Sequence, residues 1–229
     1  MELCWLSYDP KAEKYYNISP QSFLNDNPVR YVDPTGMQWE DPKDAEKLNK
    51  SVNRRITSIN NDNAKIQSQI DKGGLSEKKL EKLLNKIEDN NGKVSLLNQS
   101  LSDIKAIGDS KEIFTLTTPS KNDGRHSVVK GSDGVIKIEG SNSAIHLHEI
   151  RHIGQSISNG GLKFNEQNIL LNSAKTQARG IVNEINAYQV QYSFDSSYPG
   201  GASSLKDINS NSLMQIKDDN EITIYGNSK

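Results

Sequence analysis

The stretch AIHLHEIRHIGQSIS, residues 144–158, decides the fold of the region around it. His148 and His152 are four positions apart, and Glu149 follows the first of them directly. In an α-helix this spacing places both imidazoles on one face, about 5.4 Å apart along the axis. Glu149 would then lie beside a metal ion held by the two histidines without having to bind it. The HExxH pattern therefore predicts a helix that carries a zinc site, with Glu149 as its general base.

The residues on both sides of this stretch support a helix. Gly140-Ser141-Asn142-Ser143 offers N-cap residues for a helix that begins near Ala144, and Asn159-Gly160-Gly161 is typical of a helix end. The chain contains only 4 histidines. Three of them, His146, His148 and His152, fall within seven residues. This crowding makes a chance match to HExxH less frequent than composition alone would give.

The composition sets limits on fold and partners. With 229 residues, 33% hydrophobic content and a mean hydropathy of −0.72, the chain has room for one or two modest cores, and part of it is expected to be extended. The 28 basic and 29 acidic residues give a net charge of −1, and no Lys/Arg cluster could follow a phosphate backbone, which disfavours nucleic acid as a partner. Cys4 is the single cysteine, so a metal must be held by histidines and carboxylates.

The sequence offers no membrane or export signal. No apolar run approaches the roughly 18 residues that a membrane-spanning helix requires. The N-terminus, Met1 to Trp5, lacks a basic segment followed by an apolar one. We therefore expect no membrane span and no signal peptide in the chain as given.

Between Asp41 and Gly108 the pattern is helical. Aliphatic residues recur at intervals of three, four and seven on both sides of Asp71-Lys72-Gly73-Gly74, and after this break they are close to an a/d heptad with Asn90 in one seam position. The aliphatic positions are Leu48, Val52, Ile56, Ile59, Ile66, Ile70, Leu80, Leu83, Ile87, Val94, Leu97, Leu101 and Ile104. This predicts an antiparallel helical hairpin whose arms of about thirty residues would each reach roughly 45 Å. It could serve as a spacer or packing partner for the next domain, or as a coiled coil that binds a partner or dimerises.

After Glu112 the period of the pattern changes to two. Three short strands are predicted at residues 113–117, 127–130 and 135–139, separated by the turn sequences 122–125 and 131–134. A small antiparallel sheet is the expected result.

A second helix, from roughly Ser173 to Phe194, is predicted beyond the motif. Its apolar side carries Ile181, Ile185, Tyr188 and Tyr192. Residues 221–225 form a strand candidate close to the end of the chain.

The zinc site needs a third protein ligand, because catalytic zinc usually takes three and keeps one position open. No histidine or cysteine follows His152, which leaves Asp or Glu as the expected third ligand. Gln155 and Ser158 stand where the extended metzincin pattern requires glycine and histidine. Glu184 is the best candidate, because it lies mid-helix among apolar residues where an unpaired carboxylate is costly to bury. Glu166 and Asp195 are the alternatives, and Glu184 could also be a solvated helix carboxylate.

Other polar residues have less certain roles. Tyr188 lies one turn beyond Glu184 and could donate its phenol to the oxyanion of a tetrahedral intermediate, or it could be an ordinary half-buried tyrosine. His146 would point off the ligand face, and His126, in a predicted strand, could reach the cleft or be incidental. Arg151 faces away from the metal and is expected to pair with an acidic neighbour. Asn186 has no predicted role.

The N-terminal segment is turn-rich and carries a resemblance. YDPKAEKYYNISPQSFLNDNPVRYVDPTGM, residues 8–37, is dense in Pro, Asn, Asp and Tyr and contains the turn sequence Asp33-Pro34-Thr35-Gly36. It resembles the closing segment of the core of Rhs/YD-repeat proteins. In that family DPxG marks the end of a conserved shell, and a variable C-terminal toxin or effector domain follows. The resemblance implies a fragment, the product of a truncated gene, or a displaced C-terminal cassette of such a protein.

A second resemblance covers about residues 112–194. An ExxAY sequence on a helix downstream of HExxH resembles the third-ligand helix of gluzincin-type metallopeptidases, including such domains at the ends of Rhs proteins. The resemblance implies His148, His152 and Glu184 as zinc ligands and Glu149 as base. The expected fold is α+β: a small zincin-like domain with an antiparallel sheet, the HExxH helix and a Glu-ligand helix, preceded by the long hairpin.

The predicted organisation has three parts. Residues 1–38 are a turn-rich remnant of the Rhs core, residues 39–108 are the helical hairpin, and residues 109–229 are the zincin-like domain.

Three functions are compatible with the sequence. The first is a zinc metallopeptidase that acts as the effector of an Rhs-type polymorphic toxin on a protein or peptide substrate, delivered to a target cell and blocked by an immunity protein. The second is a zinc-dependent amidase of cell-wall peptide. The third is a non-catalytic interaction protein that uses the hairpin. Outside an Rhs effector, the chain would be expected in the bacterial cytoplasm.

Overall fold

Two long antiparallel helices begin the part of the chain that the computed structural model describes, which comprises residues 39–119, 126–171, 177–217 and 223–225. Helix α1 spans Pro42–Asp71 and helix α2 spans Glu77–Gly108. The side chain of Asp41 caps α1 by accepting a hydrogen bond from the amide of Lys43 at 2.9 Å. Gly73 and Gly74 make the turn with φ of 68° and 72°, a conformation that favours glycine. The predicted helical hairpin is confirmed.

The interior of the hairpin has the predicted apolar seam. Leu48, Val52, Leu97 and Ile104 are buried along it. Asn90 is also buried, and its Nδ2 donates to Oδ1 of Asn63 on α1 at 2.7 Å. A polar pair within an apolar seam favours one register of the two helices.

The sheet has three strands in the order β1-β3-β2. Strand β1 spans Phe114–Thr117, β2 spans Val128–Lys130 and β3 spans Ile136–Glu139. The turn between β2 and β3 closes with the amide of Gly131 bonded to the carbonyl of Val135 at 2.8 Å. The predicted positions of the strands are confirmed. The predicted turn at residues 122–125 lies outside the described residues.

The expectation of an antiparallel sheet is wrong for one of its two pairs. Strands β2 and β3 are antiparallel, but β1 is parallel to β3, with Phe114 opposite Ile136. Strand β1 lies beside β3 and not beside β2, the next strand in the sequence. The consecutive strands β1 and β2 therefore do not form a hairpin. A period of two indicates which residues share a face but not which strand lies beside which.

The motif stretch forms helix α3, Ser143–Ser158, as predicted. Asn142 is its N-cap, and the side chain of Asn142 accepts a hydrogen bond from the amide of Ile145 at 3.1 Å. Buried residues of α3, the strands and the hairpin belong to one hydrophobic core. The members that connect these elements are Leu97, Ile104, Phe114, Ile138, Leu147, Ile150 and Ile153.

Helix α4 spans Gln177–Asp195 and packs against α3. Its predicted apolar side, with Ile181, Ile185, Tyr188 and Tyr192, packs in a second apolar cluster with residues of the C-terminal segment. That segment contains a 3₁₀ turn at Leu205–Asp207 and the short helix α5 at Ser210–Leu213. Of the strand candidate at residues 221–225, the described part forms a single β-bridge between Thr223 and Lys217.

The hairpin packs on the rest of the described chain. Helix α2 contacts both α3 and α4, and the described residues from Trp39 onward form one compact unit. Of the two roles considered for the hairpin, this arrangement supports that of a packing partner. None of the described helices is long and apolar enough to cross a membrane. The predicted Rhs-core remnant, residues 1–38, lies outside the described residues.

Candidate metal centre

Helix α3 brings His148 and His152 together on one buried face. Their exposed fractions are 7% and 9%. The two Nε2 atoms lie 3.2 Å apart, and the rings meet edge to face with centroids 5.0 Å apart. The i,i+4 spacing thus brings the two Nε2 atoms close together, as the sequence predicts.

Helix α4 adds the carboxylate of Glu184 to the same point. Its Oε2 atom lies 3.7 Å from Nε2 of His148 and 3.5 Å from Nε2 of His152. A tetrahedral ion with bonds of 2.0–2.2 Å would separate its ligand atoms by about 3.4 Å. The three observed distances of 3.2, 3.5 and 3.7 Å bracket this value. The group His148, His152 and Glu184 is therefore compatible with a bound metal ion.

Gln155 determines which nitrogen of His152 keeps a proton when the ring is in the neutral form that binds a metal. Its Nε2 donates to the carbonyl of Asn183 at 3.1 Å, so its Oε1 faces Nδ1 of His152, also at 3.1 Å. An amide oxygen can only accept, so Nδ1 must be the donor. The other nitrogen, Nε2, is then the one available to a metal.

The charges of the cluster are coupled even without a metal. Burial opposes the charged form of His152, but the Glu184 carboxylate outweighs it and raises the pKa of His152 to about 9. Burial likewise opposes ionisation of Glu184, yet the two facing imidazoles hold the pKa of its carboxyl far below the usual range. In the metal-free protein these two residues form an imidazolium–carboxylate pair.

Glu149 lies in the same buried region and is 8% exposed. Burial raises the pKa of its carboxyl, and the two histidines partly offset this effect. Glu184 and Glu139 act on Glu149 in the same direction as burial. A carboxyl whose pKa is raised from its ordinary value holds a proton more readily, which suits a general base.

Two tyrosines stand beside the ligands. The ring of Tyr188 contacts the ring of His148 edge to face, with centroids 4.5 Å apart. Its hydroxyl lies 3.3 Å from that of Tyr225, which donates to Oε2 of Glu184 at 3.1 Å. Burial raises the pKa of Tyr188 to about 12, so both phenols keep their protons near neutral pH. Tyr188 is thus near the centre, and Tyr225 is an additional residue that bonds the carboxylate directly.

Arg151 pairs with an acidic neighbour on the hairpin, as expected. Its NH1 donates to both carboxylate oxygens of Asp103 on α2, at 3.1 and 2.9 Å. Its Nε donates to Oδ1 of Asn186 at 2.6 Å. Gly154 permits this approach, because a Cβ there would stand 2.1 Å from Oδ1 of Asp103.

The remaining candidates lie outside the metal-compatible group. His146 points to the sheet, and its Nε2 is 3.2 Å from the carbonyl oxygen of Thr117. His126 is half-buried two residues before the start of β2. Glu166 is exposed, and the carboxylate of Asp195 accepts hydrogen bonds from Ser197.

Sequence reasoning missed four residues around the centre. The sequence predicts no site role for Gln155, Asp103 or Asn186. It predicts Tyr225 only as part of a strand candidate. One signal was available for Gln155, because a residue three positions after His152 on a helix returns to the same face. The other three belong to distant parts of the chain and have no local signature.

No family model matches this chain, and no match was found among curated proteins or among solved structures.

Proposed function

We propose that this chain is a zinc-dependent metallopeptidase. The observation that carries the proposal is the convergence of Nε2 of His148, Nε2 of His152 and Oε2 of Glu184 at 3.2–3.7 Å, with the buried Glu149 electrostatically coupled to all three. Two imidazoles and one carboxylate are a ligand set that suits zinc, and three protein ligands leave a position open for water or substrate. This assignment takes the fold as zincin-like.

The residues have distinct roles in the proposed reaction. When bound, zinc supplies a Lewis acid that polarises the scissile carbonyl and lowers the pKa of water. Glu149 takes a proton from the attacking water and later gives it to the leaving amine. Gln155 keeps the proton of His152 on Nδ1, away from the metal side of the ring.

Tyr188 is the proposed hydrogen-bond donor to the oxyanion. Its ring packs on His148, and its hydroxyl is within 3.3 Å of the Tyr225 hydroxyl. A protonated phenol that is fixed beside the metal can stabilise negative charge as it develops. Because Tyr225 gives its one hydroxyl proton to Glu184, the Tyr188 hydroxyl donates to Tyr225 in the resting protein and would turn to the oxyanion during the reaction.

The proposed setting is the C-terminal effector of an Rhs-type polymorphic toxin. It rests on the resemblance of residues 8–37 to the end of an Rhs core, with DPxG at Asp33–Gly36. Such an effector would act in a target cell on a protein or peptide, and an immunity protein would protect the producing cell.

Hydrolysis by the purified chain and by Glu149→Gln tests the proposed activity. The substrates are an unfolded protein and purified murein, with zinc added to both enzymes. We expect cleavage of the unfolded protein by the native chain and a loss of at least about 10²-fold in Glu149→Gln. Release of murein peptides alone would make the cell-wall amidase the better assignment. Equal hydrolysis by Glu149→Gln would remove Glu149 from its proposed role.

A further inference from the structure

A chain of hydrogen bonds connects the helical hairpin to the metal-compatible group. It begins at Asp103 on α2, which binds Arg151 through NH1 at 2.9 and 3.1 Å. Arg151 donates through Nε to Oδ1 of Asn186 on α4 at 2.6 Å. The same Oδ1 atom lies 3.5 Å from Nε2 of Gln155. Gln155 in turn holds Nδ1 of His152 at 3.1 Å.

The donors and acceptors along this chain can be assigned in one direction only. A guanidinium has no acceptor, so Oδ1 of Asn186 must accept from Arg151. That oxygen therefore faces the amide nitrogen of Gln155, which also donates to the carbonyl of Asn183 at 3.1 Å. The oxygen of Gln155 is left to accept from Nδ1 of His152. Arg151, through Asn186, thus acts together with the Asn183 carbonyl in orienting the amide of Gln155 that faces a proposed metal ligand.

Asp103 is the group that fixes Arg151. Its side chain is 5% exposed and that of Arg151 is 17% exposed, so the pair is largely shielded from water. A third contact comes from Gln99, whose Nε2 donates to Oδ1 of Asp103 at 3.0 Å. The packing against α3 is also tight, because the carboxylate of Asp103 occupies the space that a Cβ on Gly154 would need. Asp103 is therefore held from two helices and has little freedom to move.

We propose that Asp103 is a positioning residue of the metal centre, acting on His152 through Arg151, Asn186 and Gln155. This inference rests on the proposed function, since it assigns a role toward the same metal. Groups that orient metal-binding imidazoles commonly change metal affinity by ~10–100-fold when they are replaced. The hairpin then contributes a functional part of the site in addition to its packing.

A matched pair of substitutions on α2 tests the proposal. Asp103→Asn removes the charge that fixes Arg151. The control is Asp89→Asn, because Asp89 is also a shielded acid on α2, binds Lys93 at 2.9 Å and links the hairpin to the C-terminal segment through the amide of Leu205 at 2.7 Å. Asp89 is not a member of the hydrogen-bond chain from Asp103 to His152, so it shares the structural role but not the positioning role.

The measurements are zinc affinity, by competition with a chromophoric chelator, and the visible absorption of the cobalt-substituted protein. Thermal unfolding of the metal-free variants monitors the fold. We expect Asp103→Asn to lose ~10–100-fold in zinc affinity and to change the cobalt spectrum, while Asp89→Asn keeps both. Native-like affinity and spectrum in Asp103→Asn would overturn the inference and leave the metal site intact. Equal losses in both variants would also overturn it, since a general structural effect would then suffice.

Two substitutions at Asn186 cover the case in which Asp103→Asn fails to fold. Asn186→Ala removes the central acceptor and leaves the Asp103–Arg151 pair in place, whereas Asn186→Asp keeps an acceptor oxygen. We expect the Ala variant to lose zinc affinity in the same range and the Asp variant to retain most of it. Unchanged affinity in Asn186→Ala would overturn the inference. Absence of zinc binding by the native chain would overturn both this inference and the proposed function.

Discussion

Nε2 of His152 lies 3.5 Å from Oε2 of Glu184, although the two residues are 32 positions apart and belong to different helices. The packing of α4 on α3 creates this relationship. The two histidines of α3 gain a third potential metal ligand because α4 places the Glu184 carboxylate against them. The capacity of this group to hold a metal ion depends on this contact.

Metal binding to the metal-free protein is predicted to release protons. Glu184 raises the pKa of His152 to about 9 in the absence of metal, and an imidazole must be neutral to bind a metal. Below about pH 9 the metal therefore competes with a proton, so apparent zinc affinity should rise about tenfold per pH unit between about pH 6 and pH 8. Competition titrations at several pH values measure this slope.

The control for the pH dependence is Glu184→Gln. Without the carboxylate, burial, which lowers the pKa of His152, is opposed only by Glu149 and Gln155. The steep region should then move to lower pH, in addition to any loss of affinity. Zinc affinity that does not change with pH in the native chain would contradict the pairing of His152 with Glu184.

Tyr188→Phe is predicted to lower kcat by about 10²–10³-fold while zinc remains bound, because it removes a donor to the oxyanion. Steady-state hydrolysis and zinc content measure the two effects. Tyr198→Phe is the matched control, since the Tyr198 ring contacts Tyr188 at a centroid distance of 5.4 Å but its hydroxyl bonds Ser212. A native kcat in Tyr188→Phe would assign the residue a packing role only.

Gly154→Ala is predicted to destabilise the protein. The new Cβ would overlap the carboxylate of Asp103, so either that carboxylate must leave Arg151 or α2 and α3 must separate locally, at a cost of about 1–3 kcal/mol. The free energy of unfolding from denaturant titration measures this effect. Gly108→Ala is the control, because its nearest contact, Nε1 of Trp39, is at an ordinary 3.9 Å. Equal stability of the two variants would show that the contact with Asp103 is not tight.

The local elements of the fold were predictable because their causes are local. Aliphatic spacing indicated α1 and α2, the glycines at Gly73 and Gly74 indicated their turn, and the helix signals at Asn142 and Asn159 delimited α3. The pairing of β1 with β3 was not predictable in this way, since alternation does not encode which strand is the neighbour.

The residues of the candidate site were likewise predictable only where a local feature of the sequence marks them. His148, Glu149 and His152 were visible because one helical turn brings them together, and Glu184 because a carboxylate among apolar residues needs a partner. The bond from Arg151 to Asp103 spans 48 positions and that from Arg151 to Asn186 spans 35. Such contacts depend on how the helices pack, and a single sequence gives no period or motif for them.

Zinc content by elemental mass spectrometry tests the central claim most directly. The native chain and Glu184→Ala are dialysed against metal-free buffer after loading with zinc. The account predicts about one zinc per native chain and a clear reduction in the variant, because the third of three protein ligands is lost. Full occupancy in both would assign the third ligand to another residue. No zinc in the native chain would contradict the metal centre itself and favour an interaction protein.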